Sequence, residues 1–244
     1  MRFPVDGCEL EVEVGGPAHA PAVLCWNGAR CTIRQWDHVV RILGDQFRFV
    51  RFDVRGTGGS SPTDDPDTQY RFEQYAADAV AILDSLGIDQ VIVWSMAWGS
   101  RAALAFLSLY PERVIKAALL DASIGAADPE AQRAGHQRAL SLQAAAGIEP
   151  FELPPGTHDH AHPDSVGPAL DARLHFDLRA AAHSLAVPLL VATGDCDPNL
   201  VSSRELVELA PDARLIVMEN VGHGSVRQRP DLTAEILRGF ALER

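Results

Sequence analysis

Short apolar runs alternate with helix-patterned stretches along nearly the whole 244-residue chain, and this alternation constrains its fold more than any other feature. Residues 21–26 (PAVLCW) form a continuous apolar run ended by Asn27-Gly28, typical of a buried parallel strand. Further strands are predicted at 47–53 (FRFVRFD), 90–95, 114–120, 189–193 (LLVAT) and 213–218 (ARLIVM). Residues 8–14 (CELEVEV) alternate with period two and read as a half-exposed strand. Helix patterning over 33–43, 71–87, 98–110, 200–210 and 229–242 fills the intervals, with stops at Gly87 and Pro111. Such an order predicts an α/β fold: a mostly parallel twisted sheet with helices on both faces. The rhythm breaks over 124–170, which is Ala-rich and helix-prone at first, then loop-like from Pro154 through Pro163. We read this stretch as a small cap inserted between two sheet strands, with residues 1–123 and 171–244 forming the core.

A content of 47% apolar and 22% charged residues suits a soluble globular domain. The formal net charge of −12 repels phosphate backbones and anionic lipid, which argues against nucleic acid and membrane surfaces as partners. No run approaches the roughly 18–20 apolar residues of a membrane span, and Met1–Gly7 does not open a signal peptide. Cys8, Cys25, Cys31 and Cys196 lack CxxC spacing, so reduced thiols in a cytoplasmic protein are expected. Oligomeric state leaves no mark in the sequence.

Residues Asp89 to Ala102 run strand, turn, helix. A tight turn of this kind presents one side chain at the top of a sheet, and small residues two places either side let its strained backbone pack. Centred on Ala97, the turn has Ser95 and Gly99 in those places; centred on Ser95 it would have Val93 and Ala97, a worse fit. The stretch Leu86-Gly87-Ile88-Asp89-Gln90-Val91-Ile92-Val93-Trp94-Ser95-Met96-Ala97-Trp98-Gly99-Ser100 resembles, without a gap, the LGxxxVxLVGHSxGG segment of the α/β-hydrolase superfamily. Tyr110-Pro111-Glu112-Arg113-Val114, then Ala118-Leu119-Leu120-Asp121, resemble that family's YPERV and following strand. The resemblance covers nearly the whole chain and implies an α/β-hydrolase fold with its nucleophile position at Ala97.

Alanine has no lone pair to attack with, so no acyl-enzyme can form at position 97. Three readings are open: a serine-to-alanine replacement that keeps a substrate or product intact, a natural protein of this fold without the nucleophile, or a replaced aspartate. Asp-Trp-Gly is the elbow of many dehalogenases and epoxide hydrolases, but the cap segment lacks the tyrosines that epoxide hydrolases of this fold use.

The resemblance also implies the remaining machinery. Gly222-His223-Gly224 follows the 213–218 strand where the family keeps its general base; an imidazole with an ordinary pKa of about 6.5 can take and return a proton at neutral pH. Asp197 resembles the family's acid after a strand, with Asp195 and the more distant Asp121 as competitors and a helix N-cap as the alternative role. Residue 97, Asp197 and His223 fall in the Ser…Asp…His order of this fold. Trp26-Asn27-Gly28-Ala29 stands where the family has His-Gly-x, so the amides of Ala29 and Trp98 would face an oxyanion, with Asn27 or Gly28 open as the other donor.

Asp53-Val54-Arg55-Gly56-Thr57-Gly58-Gly59-Ser60 resembles a structural loop of the same family; no GK[ST] follows, so it is no phosphate loop. His158, His160 and His162 form a solvated cap loop on this reading, and neither a metal nor a cofactor is expected. Asn27, Trp36 and Met96 are expected to line the substrate pocket, with Trp98, Phe151, Leu153 and Phe176 as further candidates. The expected partner is a small-molecule carboxylic ester or lactone. The small cap resembles those of esterases and enol-lactonases. The elbow Trp98-Gly99-Ser100 also resembles that of proline iminopeptidases, whose HGGPG loop is missing here, and a C–C bond hydrolase stays open. The rival class is a ligand-binding protein, or a cofactor-free enzyme that uses the His223–Asp197 pair.

Overall fold

The computed structural model describes residues 1–243. Its eight strands are β1 (Arg2–Val5), β2 (Cys8–Gly15), β3 (Ala22–Trp26), β4 (Arg48–Phe52), β5 (Val91–Met96), β6 (Val114–Leu120), β7 (Leu189–Gly194) and β8 (Ala213–Met218). They form one sheet in the order β1-β2-β4-β3-β5-β6-β7-β8. The pairs β1–β2 and β2–β4 are antiparallel, and all others are parallel. Helices α1 (Asp37–Leu43), α2 (Pro66–Gln69), α3 (Phe72–Ser85) and α4 (Trp98–Leu109) precede β6. Helices α5 (Pro129–Ala145), α6 (Pro163–Leu170) and α7 (Leu178–His183) fill the connection from β6 to β7. Then come α8 (Leu200–Leu209), α9 (Ser225–Gln228) and α10 (Pro230–Leu242).

Period two along the strands builds a core on each face of the sheet. In β3, Val23 and Cys25 join Trp36, Leu43, Trp94 and Leu237 under α1 and α10, while Leu24 and Trp26 join Phe72, Tyr75 and Phe106 under α3 and α4. Helix α3 answers with Phe72, Tyr75, Ala76, Ala79, Ile82 and Leu83, the i, i+3, i+4, i+7 stripe of a helix seated on a sheet. The sheet strands of the sequence reading lie within one or two residues of their expected ends.

Four features depart from that reading. β1 is an additional strand, folded back on β2 through Gly7, whose φ of +74° suits glycine. The expected helix at 33–43 opens as a 3₁₀ turn, Ile33–Trp36, capped by Thr32. The last helix runs where it was expected, as α10, but a short extra helix, α9, precedes it and stops before Pro230, which has no N–H to continue the ladder. Finally, α6 and α7 stand where no helix was expected, and their Ala169, Leu178, Ala181 and Ala182 are buried in the α3/α4-face core.

Topology locates the crevice. After β3 the chain crosses to β4 on one side, then returns to β5 on the other, so the strand order reverses between β3 and β5. In open parallel sheets, ligands bind beyond the carboxyl ends of the strands at such a reversal. The residues that follow those ends are Asn27 and Ala97.

Candidate functional site

Ala97 joins β5 to α4 with φ 52° and ψ −110°, a conformation that costs a non-glycine residue on the order of 1–3 kcal/mol. The turn is held rigidly: the Ala97 amide donates to Leu120 O at 2.8 Å, and the Ser100 amide returns to Ala97 O at 3.0 Å. Ser95 lies buried below, its Oγ 2.9 Å from Ser100 Oγ, so it cannot serve as the presented side chain. Gly99 is required by space. A Cβ there would stand 2.4 Å from Asn27 O and 2.6 Å from Trp26 O, so α4 starts directly against the end of β3.

That close approach brings two amides to one place. As the first residue of α4, Trp98 has an N–H without an intrahelical acceptor. Ala29 lies on the loop after β3, and among the described residues its N–H has no partner. The Gly28 amide, by contrast, already donates to Gln35 Oε1 at 3.3 Å. Both Ala29 and Trp98 line a cavity of about 490 Å³ with Ala97 and His223.

His223 reaches this cavity from the loop between β8 and α9. Its Nδ1 is 2.9 Å from Asp197 Oδ2, which leaves Nε2 as the ring nitrogen free of that bond. Asp197 is buried behind it, and its other oxygen accepts from the Asn199 amide at 2.9 Å. The loop is fixed by a second carboxylate: Asp121 Oδ2 accepts the amides of Gly224 and Ser225 at 2.9 and 2.8 Å. Asp121 therefore holds the backbone beside the imidazole, while Asp197 holds the ring.

Burial alone would lower the His223 pKa, but the hydrogen bond to Asp197 and the charges of Asp121 and Asp197 outweigh it and hold the pKa above 6.5. Burial, then the neighbouring Asp197 charge, pushes Asp121 up to about 6, with His223 and the two amides acting against the shift. A basic imidazole with a fixed tautomer, facing a cavity bordered by free amides, can accept a proton and stabilise negative charge on an adjacent carbonyl oxygen.

Three expected pocket residues lie elsewhere. Trp36 is fully buried and spends its indole N–H on Asn27 Oδ1 at 3.1 Å. Asn27 uses its own amide group on Phe52 O at 3.0 Å and Asp53 Oδ1 at 2.9 Å, so it braces the loop and borders only a niche of about 10 Å³. Met96 packs in the core under Gly28. Phe151 and Leu153 are exposed and outside the cavity, and Phe176 borders a neighbouring groove. Trp98 does line the cavity; it also stacks edge-on against Phe72 at 5.5 Å and donates its indole N–H to Leu170 O of α6 at 2.9 Å.

Two of the cap histidines serve the backbone. His160 accepts the Gly58 amide at Nδ1, 2.7 Å away, and its Nε2 and His158 Nδ1 both meet Arg30 O. Among the described residues, the ligand-type atoms that do gather are those of Asp121, Asp197 and His223. Unforeseen cavity residues include Arg30, Arg101, Ser123, Gln132, Asn199 and Arg173. A signal for one of them existed: Arg101 is the lone charge in the apolar run WGSRAALAFL.

Comparison with known proteins agrees with this architecture. The family model described as alpha/beta hydrolase fold matches residues 21–165. The chain belongs to the α/β-hydrolase fold family. Among curated α/β-hydrolase relatives, it is 28% identical to the putative carbamate hydrolase RutD of a Caulobacter species, covering 93% of this chain and 92% of that one. It is 26% identical to 3-oxoadipate enol-lactonase 2 of Acinetobacter baylyi, covering 87% and 86%. The enol-lactonase of Burkholderia xenovorans superposes with a TM-score of 0.80 over the full length of both chains at 24% identity, which speaks to the fold. No helix among the described residues is long and apolar enough to cross a membrane.

Proposed function

We propose that this α/β-hydrolase chain carries a serine-hydrolase site for a carboxylic ester or lactone, with alanine at the nucleophile position. The observation that carries the reading is the Ala97 turn: a strained backbone at the strand–helix junction aims residue 97 into the cavity that His223 also lines. The relatives named as carbamate hydrolase and enol-lactonase support an acyl substrate. Residues 124–170 serve as the cap over this site, and the partner is a small molecule.

With serine at 97, Oγ would add to the carbonyl carbon while its proton passes to His223 Nε2. Asp197 would hold the resulting imidazolium through Nδ1, and the Ala29 and Trp98 amides would bind the oxyanion. Collapse would break the carbonyl–leaving-group bond, with His223 returning the proton to the departing alcohol. Water activated by the same nitrogen would then release the acid. With Ala97 the site binds the carbonyl compound and retains the base, but no bond to the protein forms.

Ala97→Ser tests this directly. The expected outcome is fluorophosphonate labelling at residue 97 and hydrolysis of short esters or lactones, both absent from the Ala97 protein. A second reading rests on the intact pair at 2.9 Å: His223 and Asp197 act as a cofactor-free base on an acidic substrate. It prevails if the Ala97 protein turns over a substrate and the serine adds nothing.

A further inference from the structure

A buried cation in the cavity wall has no anion to answer it. Arg101 lies one helical turn beyond Ala97 on α4, buried within the fold and lining the same cavity as Ala97, Trp98 and His223. Its contacts are with neutral groups: Nε donates to Ser123 O at 3.0 Å, and Nη2 to Gly125 O at 2.6 Å and Ser123 Oγ at 3.5 Å. Nη1 has no hydrogen-bond acceptor among the described residues. No carboxylate acts on it; burial first, and then the charge of Arg173, push its pKa below the usual guanidinium value.

Three cations line the cavity and they are not equivalent: Arg30 is exposed on the loop after β3. Arg173, from the turn after α6, is paired with Asp171 and shares the cavity wall with it. Taking a guanidinium out of water without a counter-charge is costly, and buried charges in folded proteins are ordinarily paired. The Nε/Nη2 edge of Arg101 is held by the carbonyls of Ser123 and Gly125, which leaves Nη1 to donate end-on to a carboxylate. The chain as a whole is strongly acidic, so a cationic pocket is set against the sign of its surroundings. A field of one sign in a low-dielectric cleft concentrates ligands of the opposite charge.

We propose that Arg101, seconded by Arg173, is an anion subsite that selects an ester or lactone carrying a second, free carboxylate. The reacting carbonyl lies at Ala97 between the Ala29 and Trp98 amides, and the carboxylate lies on Arg101. Arg101 stands about one turn of α4 past the elbow, so a short carbon chain would join the two groups. The inference rests on the reading of this cavity as the substrate site, and it concerns binding alone.

The test is equilibrium binding to the Ala97 protein, which requires no turnover. Titration with glutarate, monomethyl glutarate and dimethyl glutarate is followed by calorimetry. The half-ester is expected to bind at least tenfold more tightly than the diester. Arg101→Met, which keeps the apolar stem and removes the charge, is expected to abolish that preference, read as the ratio of half-ester to diester affinity within the variant. Arg101→Lys should keep part of it, because the charge stays and the fork is lost. Equal affinity of the Ala97 protein for half-ester and diester, no binding of any carboxylate probe, or an unchanged preference in a folded Arg101→Met protein each overturns the proposal. The first two outcomes are read without any variant, so a misfolded Arg101→Met leaves the inference open to refutation. A carboxylate preference that depends on Arg101, combined with a silent Ala97→Ser protein, would keep the subsite and reject the hydrolase reading.

Discussion

A methyl group added at residue 99 tests whether the elbow truly starts against the end of β3. The new Cβ of Gly99→Ala would lie 2.4 Å from Asn27 O, 2.6 Å from Trp26 O and 2.7 Å from Trp26 C. All are backbone atoms, so no rotamer change relieves them. Reaching an ordinary contact requires α4 and β3 to separate by about 1 Å. Overpacking of this kind costs about 1–3 kcal/mol, a Tm drop on the order of 2–12 °C for a domain of this size. The same separation moves the Trp98 amide away from the Ala29 amide, so an Ala97→Ser background should lose fluorophosphonate labelling along with stability. The control is the same chemical change elsewhere. Gly239, in α10, is exposed and has nothing within 4 Å of its would-be Cβ, so Gly239→Ala should stabilise by about 0.5–1 kcal/mol. Thermal unfolding by circular dichroism reads both. A Gly99→Ala protein as stable as its parent would refute the backbone-on-backbone packing that assembles the site.

Asp197→Asn removes the bond that works against burial at His223, so the imidazole pKa should fall relative to the parent; an unmoved His223 titration by NMR would deny the pairing. Arg55 is buried in a two-bond pair with Asp78, Nε–Oδ2 and Nη2–Oδ1 both at 2.6 Å. Asp78→Ala strands that cation and should cost about 3–5 kcal/mol in denaturant unfolding; a loss under 1 kcal/mol would speak against it. Burial pushes Asp53 up to about 7 against the amides of Gly59 and Ile33. A raised carboxyl favours the protonated fold, so its contribution is full below the ordinary value of 3.8 and is lost as pH rises to about 7. Against Asp53→Asn, the parent should therefore be relatively more stable at pH 4 than at pH 8, and the opposite slope would overturn the assignment.

The sheet was legible because each of its parallel strands is a short apolar run with a breaker at its end, a local signal. Register at the elbow was legible for a related reason: of Ser95 and Ala97, only Ala97 has small residues two places away on both sides, and the structure puts the strained φ there. The Asp197–His223 contact joins two loops 26 residues apart, and chain order on the expected strands sufficed to pair them. Pocket residues were harder. Met96 immediately precedes Ala97, yet the period of β5 sends Ile92, Trp94 and Met96 together into the α1/α10-face core. Trp36 and Asn27 were absorbed by a polar network with Asp53, a long-range arrangement that no local pattern announces. α6 and α7 form on the α3/α4-face core, which does not exist until the sheet has assembled.

The bond from the Trp98 indole to Leu170 O has a mechanical corollary. One side chain is at once the floor beside the free amide and the tether for the last turn of α6. A guest that tilts α6 outward must stretch this tether, at about 1 kcal/mol for a lost neutral hydrogen bond, and a guest that lets α6 settle recovers it. Any displacement of the last turn of α6 would therefore be felt at the Trp98 side chain, beside the amide that opens α4.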